Sequence, residues 1–146
     1  MGARKGGAIM ELSFVDADTP DFDPLIYIRI LVAIAKADKE NGPPEFAFVR
    51  RQSERLSLDY DQLLRTTEKD FLIERQKVTR ITALVVLKGA IELASMDRNF
   101  SLPEKERIYD YAAKLDIPRK DVDALEKLIT DYRRIDERWR ELVSMS

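Results

Sequence analysis

Two long apolar runs, each followed by a polar turn and an amphipathic segment, organise the hydrophobic pattern of the chain. The first pattern covers residues 25–63 and the second covers residues 84–122, and they align without a gap at an offset of 59 positions. Each run is apolar on nearly every helical face, which is typical of a helix buried in a core. The pattern predicts an all-α fold, a compact bundle of about seven helices built from a duplicated helical unit, with two buried central helices that cross.

Capping and turn residues indicate where the helices begin and end. Asp23 supplies an N-cap side chain, and Pro24 follows it at the first helical position. The predicted helices cover about residues 25–37, 43–56, 60 onwards, 66–80, 81–96, 102–115 and 118–143, with a break near Lys69 or Lys77. Gly89 interrupts the second central run, and a glycine there predicts the close approach of another backbone.

The length of 146 residues is that expected for one domain with its own core. Residues 1–23 mix glycine, acidic residues and turn signals, so they are interpreted as a flexible lead, with one docked piece as an alternative. Residues 24–146 are predicted to form a single helical domain. It comprises one repeat at about 25–63, a second at about 84–122, and a long C-terminal helix at about 118–143.

Composition narrows the chemistry that this domain can perform. The chain has 25 basic and 27 acidic residues, a net charge of -2, and neither cysteine nor histidine. Disulfides, thiolate sites and histidine-based catalysis are thereby excluded, and nucleic acid is not expected as a partner. The apolar runs are shorter than the ~20 residues that a membrane helix needs and contain charged residues. The sequence therefore predicts a soluble, cytoplasmic protein without direct membrane insertion.

The two polar turns contain the candidate functional site. Each repeat places an aspartate at the end of a central helix and a glutamate seven residues later, giving Asp38 with Glu45 and Asp97 with Glu104. Ca²⁺ and Mg²⁺ prefer carboxylate and carbonyl oxygens, which turns between helices can supply. These four residues are the candidate ligands of a divalent cation. The spacing is not that of an EF-hand, because Val49 would occupy the twelfth position, where a bidentate glutamate is required.

An alternative interpretation needs no metal. Both glutamates fall near the third helical position, where a carboxylate caps backbone N–H groups and interacts favourably with the helix dipole. The aspartates lie at helix C-termini, where negative charge opposes the dipole and needs compensation. Lys39 and Arg98 directly follow Asp38 and Asp97, so each competes with a cation for its carboxylate.

The last helix carries an apolar seam whose members recur at spacings of three and four. They are Leu125, Leu128, Tyr132, Ile135, Trp139 and Leu142. The seam spans about three heptads, and docking on the domain's own core is favoured over a coiled coil. The length beyond Asp131 is where a protein partner or second subunit would attach, with Trp139 and Leu142 as the candidate contact residues.

The repeated turn resembles that of the tellurite-resistance TerB family, which has a duplicated helical unit with an Ala-x-Ala-Asp-Gly turn followed by Pro-Glu-Glu. Residues 35–45 read AKADKENGPPE and residues 94–104 read ASMDRNFSLPE, and the resemblance covers roughly residues 25–132. It implies a compact helical fold, no catalysis, acidic residues that bind a divalent metal, and association with membrane-linked stress-response or chaperone-type assemblies.

Carried over by position, the acidic ligands implied by the family are Asp38, Glu45, Asp97 and Glu104. The family's glycine after the aspartate is replaced by a basic residue in both copies, and its second glutamate is Phe46 in one copy and Lys105 in the other. These departures place positive charge beside each carboxylate pair and remove one oxygen donor from each.

Two functions follow as expectations. The first is a non-enzymatic TerB-like domain that binds a divalent cation, Ca²⁺ or Mg²⁺, weakly and acts in a stress-response assembly. The second is a metal-free interaction or scaffold module that uses the C-terminal helix. A two-metal hydrolase is disfavoured, because it needs more convergent oxygen ligands than two pairs supply.

Overall fold

Capping side chains lie at the start of the main helices, as expected from the sequence. The computed structural model describes residues 13–71, 77–96 and 100–145. The described residues form the helices α1 (Pro24–Ala37), α2 (Pro43–Arg55), α3 (Tyr60–Thr66), α4 (Arg80–Ala94), α5 (Leu102–Lys114) and α6 (Arg119–Ser144). The Asp23 carboxylate accepts from Ile26 N at 3.2 Å and so caps the start of α1. The described ranges contain no strand, and the all-α prediction is confirmed for them.

The described ranges hold six helices rather than the predicted seven or so, and the difference lies between α3 and α4. A helix was expected over residues 66–80. The structure instead ends α3 at Thr66, forms turns up to residue 71, and is non-helical at residues 77–79. The remainder of that expected helix, residues 72–76, lies outside the described residues.

The core is built around α1 and α4, which pack directly against each other. Nearly every residue of α1 from Tyr27 to Ala35 is buried, as is every residue of α4 from Val85 to Leu93. Helices α2 and α3 pack on α1, and α5 and α6 pack on α4. The prediction of two buried central helices is confirmed, because apolar residues on all faces leave a helix no stable place but the interior.

Gly89 lies at the contact between the two central helices. A Cβ atom added there would lie 3.0 Å from Leu31 Cδ1 and 3.3 Å from the Tyr27 hydroxyl oxygen. The three atoms nearest to that Cβ position belong to side chains of α1, and the close approach of a backbone stays a prediction. Absence of a side chain at position 89 lets α1 seat these two large residues against α4.

The ends of α2 and α5 share one backbone geometry at positions 59 residues apart. Leu58 N donates to Ser53 O at 2.9 Å, across Ser57, which has a φ of 61°. The same bond, also 2.9 Å long, recurs 59 positions later, where Asp116 has a φ of 60°. Both helices therefore end in a left-handed turn of the Schellman type. A duplicated TerB-like unit stays a prediction.

Part of the described N-terminal lead packs against the helical body. Val15 and Phe22 are buried in the core, and Arg55 Nη1 donates to Val15 O at 2.7 Å. Asp23 N donates to Thr82 Oγ1 of α4 at 3.0 Å. Apolar burial and these bonds hold this piece of the lead against α2 and α4, and the flexibility of the lead stays a prediction. The rest of the lead, residues 1–12, lies outside the described residues.

Within the described residues, none of the helices combines the length and apolar character that a membrane crossing requires.

Candidate functional site

The glutamates of the two turns act as helix caps. Glu45 Oε1 accepts from Gly42 N at 2.8 Å at the start of α2. Glu104 Oε1 accepts from Ser101 N at 2.8 Å and from Ser101 Oγ at 2.9 Å at the start of α5. The capping interpretation is confirmed for both. One oxygen of each glutamate carboxylate therefore accepts hydrogen bonds from donors at the start of its own helix that would otherwise be unpaired.

Asp38 is compensated by a residue that the sequence did not single out. Its Oδ1 accepts from Glu40 N at 2.9 Å, and its Oδ2 lies 3.2 Å from Arg107 Nη1. Arg107 belongs to α5, so the pair connects the turn after α1 to the second half of the chain. Lys39, the expected partner of Asp38, is exposed and does not form this pair. The available signal was the position of Arg107 one turn after Glu104, on the same helical face.

Asp97 and the adjacent Arg98 lie outside the described residues. Their predicted roles, as a metal ligand and as its competitor, therefore stay predictions.

Asp38 and Glu104, one from each repeat, border a common small cavity. The cavity has a volume of about 30 Å³, enough for a single water-sized occupant, and Asn41, Arg107 and Tyr111 also line it. Its floor is apolar, formed by residues such as Ile34, Ala90, Leu93 and Ile108. Glu45 is not among the described residues that border it. The structure thus brings together two of the four predicted ligands.

The donor set around this cavity fits a cation poorly. The described residues contain no group of three or more acidic side chains arranged to hold a metal. Arg107 already brings a guanidinium to Asp38, and like charges repel across so small a space. Burial raises the pKa of the Tyr111 hydroxyl above its ordinary value, while Arg107 opposes that rise, so the hydroxyl is a neutral donor at pH 7.

Helix α6 contacts the body along its first half. Val122, Leu125 and Ile129 are buried against the core, and Arg133 Nη1 donates to Ser95 Oγ at 2.9 Å. Beyond Arg133 no apolar residue of α6 is buried within the described range. The helix nevertheless continues to Ser144, a further ~16 Å at 1.5 Å per residue.

The apolar seam of α6 is mostly exposed. Leu125 is buried and Tyr132 is partly buried, as a seam that docks on its own core requires. Four members form an exposed band, which we call the C-terminal stripe: Leu128, Ile135, Trp139 and Leu142, exposed by 49%, 61%, 56% and 63%. The prediction that the seam docks on the domain's own core is wrong for these four. The core uses a neighbouring face of the helix, defined by Val122, Leu125 and Ile129.

The charges beside the stripe are balanced. Residues 131–141 contain four basic and four acidic side chains. Asp136 Oδ2 accepts from Arg140 Nε at 2.9 Å, and Lys127 Nζ lies 3.1 Å from Asp131 Oδ2. Burial raises the pKa of the Tyr132 hydroxyl, and the carboxylates of Asp136 and Glu92 raise it further. Because the basic and acidic residues are equal in number, the stripe has no strong electrostatic potential of either sign around it.

A buried ion pair within α4 was not identified as a feature of interest from the sequence. Lys88 Nζ lies 2.9 Å from Glu92 Oε1, and the two side chains are only 6% and 9% exposed. The signal was present, because the two opposite charges stand four residues apart inside an apolar run. From the sequence alone, these charges argue only against a membrane-spanning helix. Both charged groups are buried inside the core, where breaking the pair would leave one charge without its partner.

No protein-family model, no curated protein and no solved structure matches the chain.

Proposed function

We propose that the chain is a non-enzymatic protein-interaction module whose contact surface is the C-terminal stripe of α6. The observation that carries the proposal is the exposed apolar band on a helix that extends past its own core. Soluble proteins rarely leave a contiguous apolar band in water unless it binds something. Tryptophan and its aliphatic neighbours are the residues that dominate binding energy at protein interfaces.

The chemistry of the turns supports the non-enzymatic part of the proposal. Both capping glutamates satisfy backbone donors, and Asp38 is neutralised by Arg107. Carboxylates held in this way are poor general bases, because their lone pairs and charge are already engaged. The resemblance of the turns to the TerB family supports a cytoplasmic scaffold role in a stress-response assembly, including one attached to a membrane through another subunit.

Capture of a cellular partner tests the stripe. We expect Trp139→Asp to weaken partner capture about 30-fold, since loss of an interface hot spot costs about 2 kcal/mol. Trp139 is exposed, so the variant should keep its helical circular dichroism. The measurement is quantitative affinity capture from a cell extract, with mass spectrometry of the bound proteins.

Leu102→Asp is the matched control, because Leu102 is a large apolar residue that is 72% exposed on a different helix. Its capture profile should equal that of the unmodified chain. Equal capture by the Trp139→Asp variant and the unmodified chain would contradict the proposal.

A second candidate function, weak binding of a divalent cation, rests on the meeting of Asp38 and Glu104 at one cavity. If it is correct, titration of chelator-treated protein with Ca²⁺, Mg²⁺ or Mn²⁺ should give saturable heat and raise the melting temperature. Both effects should vanish in the Asp38→Asn, Asp97→Asn double variant. Arg107→Gln should strengthen binding, because it removes the competing positive charge. Absence of heat, or heat that persists in the double variant, would rule out this site.

A further inference from the structure

We propose that Asn41 and Gly42, in the turn between α1 and α2, form a site of spontaneous covalent modification that the folded turn protects from reaction. The modification is deamidation of Asn41 through attack by the neighbouring backbone, and water is the only co-reactant. It takes place in the first turn and does not depend on what the C-terminal stripe binds.

An asparagine followed by a glycine is the pair of residues that this reaction needs. The chain has two asparagines: Asn41 precedes Gly42, and Asn99 precedes Phe100. A glycine has no side chain to shield its backbone nitrogen, whereas phenylalanine places a bulky ring next to that atom. The nitrogen of Gly42 is therefore the more accessible nucleophile of the two.

Ring closure joins the backbone nitrogen of Gly42 to Cγ of Asn41. The nitrogen loses its proton to solvent base as the new bond forms, the bond from Cγ to Nδ2 breaks, and Nδ2 leaves as ammonia. Water then adds to one of the two ring carbonyls and opens the cyclic imide, which leaves aspartate or isoaspartate at position 41. The net change is from amide plus water to carboxylate plus ammonium, and no atom is oxidised or reduced.

The folded turn engages both reacting groups in hydrogen bonds. Gly42 N donates to Glu45 Oε1 at 2.8 Å, so the proton that the nucleophile must lose is held in the cap of α2. Asn41 Nδ2, the leaving group, donates to Ala35 O near the end of α1 at 3.0 Å. Ring closure requires both bonds to break. The turn therefore has to open locally before Asn41 reacts.

The second turn has the same cap without the reactive pair. Ser101 N donates to Glu104 Oε1, also at 2.8 Å, at the position that corresponds to Gly42. The residue that corresponds to Asn41 is Phe100. The capping bond is thus a shared structural feature of α2 and α5, and only at α2 does it also restrain a reactive asparagine.

The product of the reaction does not restore the turn. A carboxylate at position 41 cannot donate to Ala35 O, and it adds negative charge near the C-terminal end of α1, which opposes the helix dipole. It also joins Asp38 and Glu104 at the small cavity, whose described lining contains one basic residue, Arg107. An opening of the turn is therefore converted into an irreversible change of charge.

Mass spectrometry of the full chain, incubated in mildly alkaline buffer, tests the protection. We expect Asn41 to deamidate at least about ten-fold more slowly in the folded chain than in the chain unfolded in guanidinium chloride, because only the open turn reacts. Gly42→Ala should slow the reaction of the unfolded chain by shielding the nucleophile, and the folded turn has room for it, since the added Cβ meets no atom closer than 4.0 Å. Equal rates in the folded and unfolded chains, or an unchanged rate in unfolded Gly42→Ala, overturn the inference.

Variants of the cap test which bond provides the protection. Glu45→Ala should raise the rate in the folded chain roughly five-fold, as the loss of a capping bond does to a local opening equilibrium. Glu45→Gln keeps a carbonyl oxygen that accepts from Gly42 N, so its rate should stay near that of the unmodified chain. A rate in Glu45→Gln well below the unmodified one would show that the carboxylate is the base that activates Gly42, and the protective role would be wrong.

Asp59→Ala is the matched control for the cap. Asp59 caps α3 by accepting from Gln62 N at 3.1 Å and is not part of the first turn. This variant removes a capping carboxylate elsewhere, so Asn41 should deamidate at the unmodified rate. Equal acceleration in Glu45→Ala and Asp59→Ala would show that global unfolding exposes Asn41, and the local role of the cap would be excluded.

Asn41→Asp tests the effect of the modification on the fold. We expect a melting temperature a few degrees below that of the unmodified chain, and also below that of Asn41→Ala. Both variants lose the bond to Ala35 O, and only the aspartate adds charge at the end of α1. Equal melting temperatures in the two variants would overturn the assigned effect of the charge.

Discussion

Glu92→Ala is expected to lower the free energy of unfolding by about 3–5 kcal/mol, the cost of leaving a buried charge without its partner. Lys88 and Glu92 are almost completely buried, and their charged atoms lie 2.9 Å apart on successive turns of α4. Removing the carboxylate leaves the ammonium group buried without the partner that lies 2.9 Å from it, and an unpaired buried charge is costly. Urea unfolding of the full chain measures the change.

The paired substitution separates the cost of breaking this pair from its net contribution. Lys88→Met with Glu92→Leu removes both charges and keeps similar volumes, so we expect stability equal to or above that of the unmodified chain. Arg50 and Glu54 form the matched control: they have the same four-residue spacing and a 3.1 Å separation, but both side chains are more than half exposed. Glu54→Ala should leave the unfolding free energy nearly unchanged. Equal losses in the Glu54 and Glu92 variants would contradict the burial argument.

Helix boundaries could be predicted from the sequence because the interactions that set them are local. Asp23, Ser101 and Glu104 act on backbone groups three residues away, so their effect is visible in a short window of sequence. The burial of α1 and α4 could also be predicted from the sequence, because a helix that is apolar on all faces is stable only in the interior. These two kinds of reasoning account for most of the fold.

The partner of Asp38 could not be predicted in this way. Arg107 lies 69 positions away along the chain, and only the packing of α5 beside the first turn brings it to the carboxylate. Sequence reasoning supplied the physical requirement, a positive charge at an unfavourable helix end, and then chose the adjacent Lys39. The prediction of Lys39 was wrong because the packing of distant segments, and not proximity in sequence, determines which basic residue lies beside Asp38.

The hydrophobic pattern also did not predict which face of α6 packs against the core. Spacings of three and four describe both the buried set, Val122, Leu125 and Ile129, and the exposed C-terminal stripe beside it. Periodicity locates an apolar face, but it does not say whether the rest of the domain reaches it. Along α6 the buried apolar side chains of the described core end at Ile129, and Ile135, Trp139 and Leu142 are left exposed.

The partner of Asp38 and the exposed face of α6 together make α6, rather than the turns, the favoured candidate for a binding surface. In the described part of the turns the acidic charges are compensated within the fold, by backbone donors at the glutamates and by Arg107 at Asp38. The stripe contains apolar area that the described fold leaves uncompensated. Free energy is therefore available for binding at α6, where each fully buried aliphatic residue contributes about 1.5–3 kcal/mol.

Leu31→Ala is the second large effect that we expect, a loss of about 2–5 kcal/mol in the free energy of unfolding. Leu31 is completely buried in α1, and its Cδ1 atom occupies the space beside Gly89 of α4. Truncation leaves a cavity at the contact between the two central helices, and rigid neighbours fill it only partly. Urea unfolding at constant temperature again provides the measurement.

The same cavity should reverse the effect of a second substitution. In the unmodified chain, Gly89→Ala gains about 1 kcal/mol of helix propensity but forces a contact of 3.0 Å with Leu31, and overpacking of this kind costs about 1–3 kcal/mol. In the Leu31→Ala background that clash is gone, so the propensity gain should dominate and Gly89→Ala should stabilise. At Gly42 an added Cβ would meet no atom closer than 4.0 Å, so the effect of Gly42→Ala should not depend on Leu31. If the effect of Gly89→Ala is the same in both backgrounds, Leu31 is not what requires a glycine at this position.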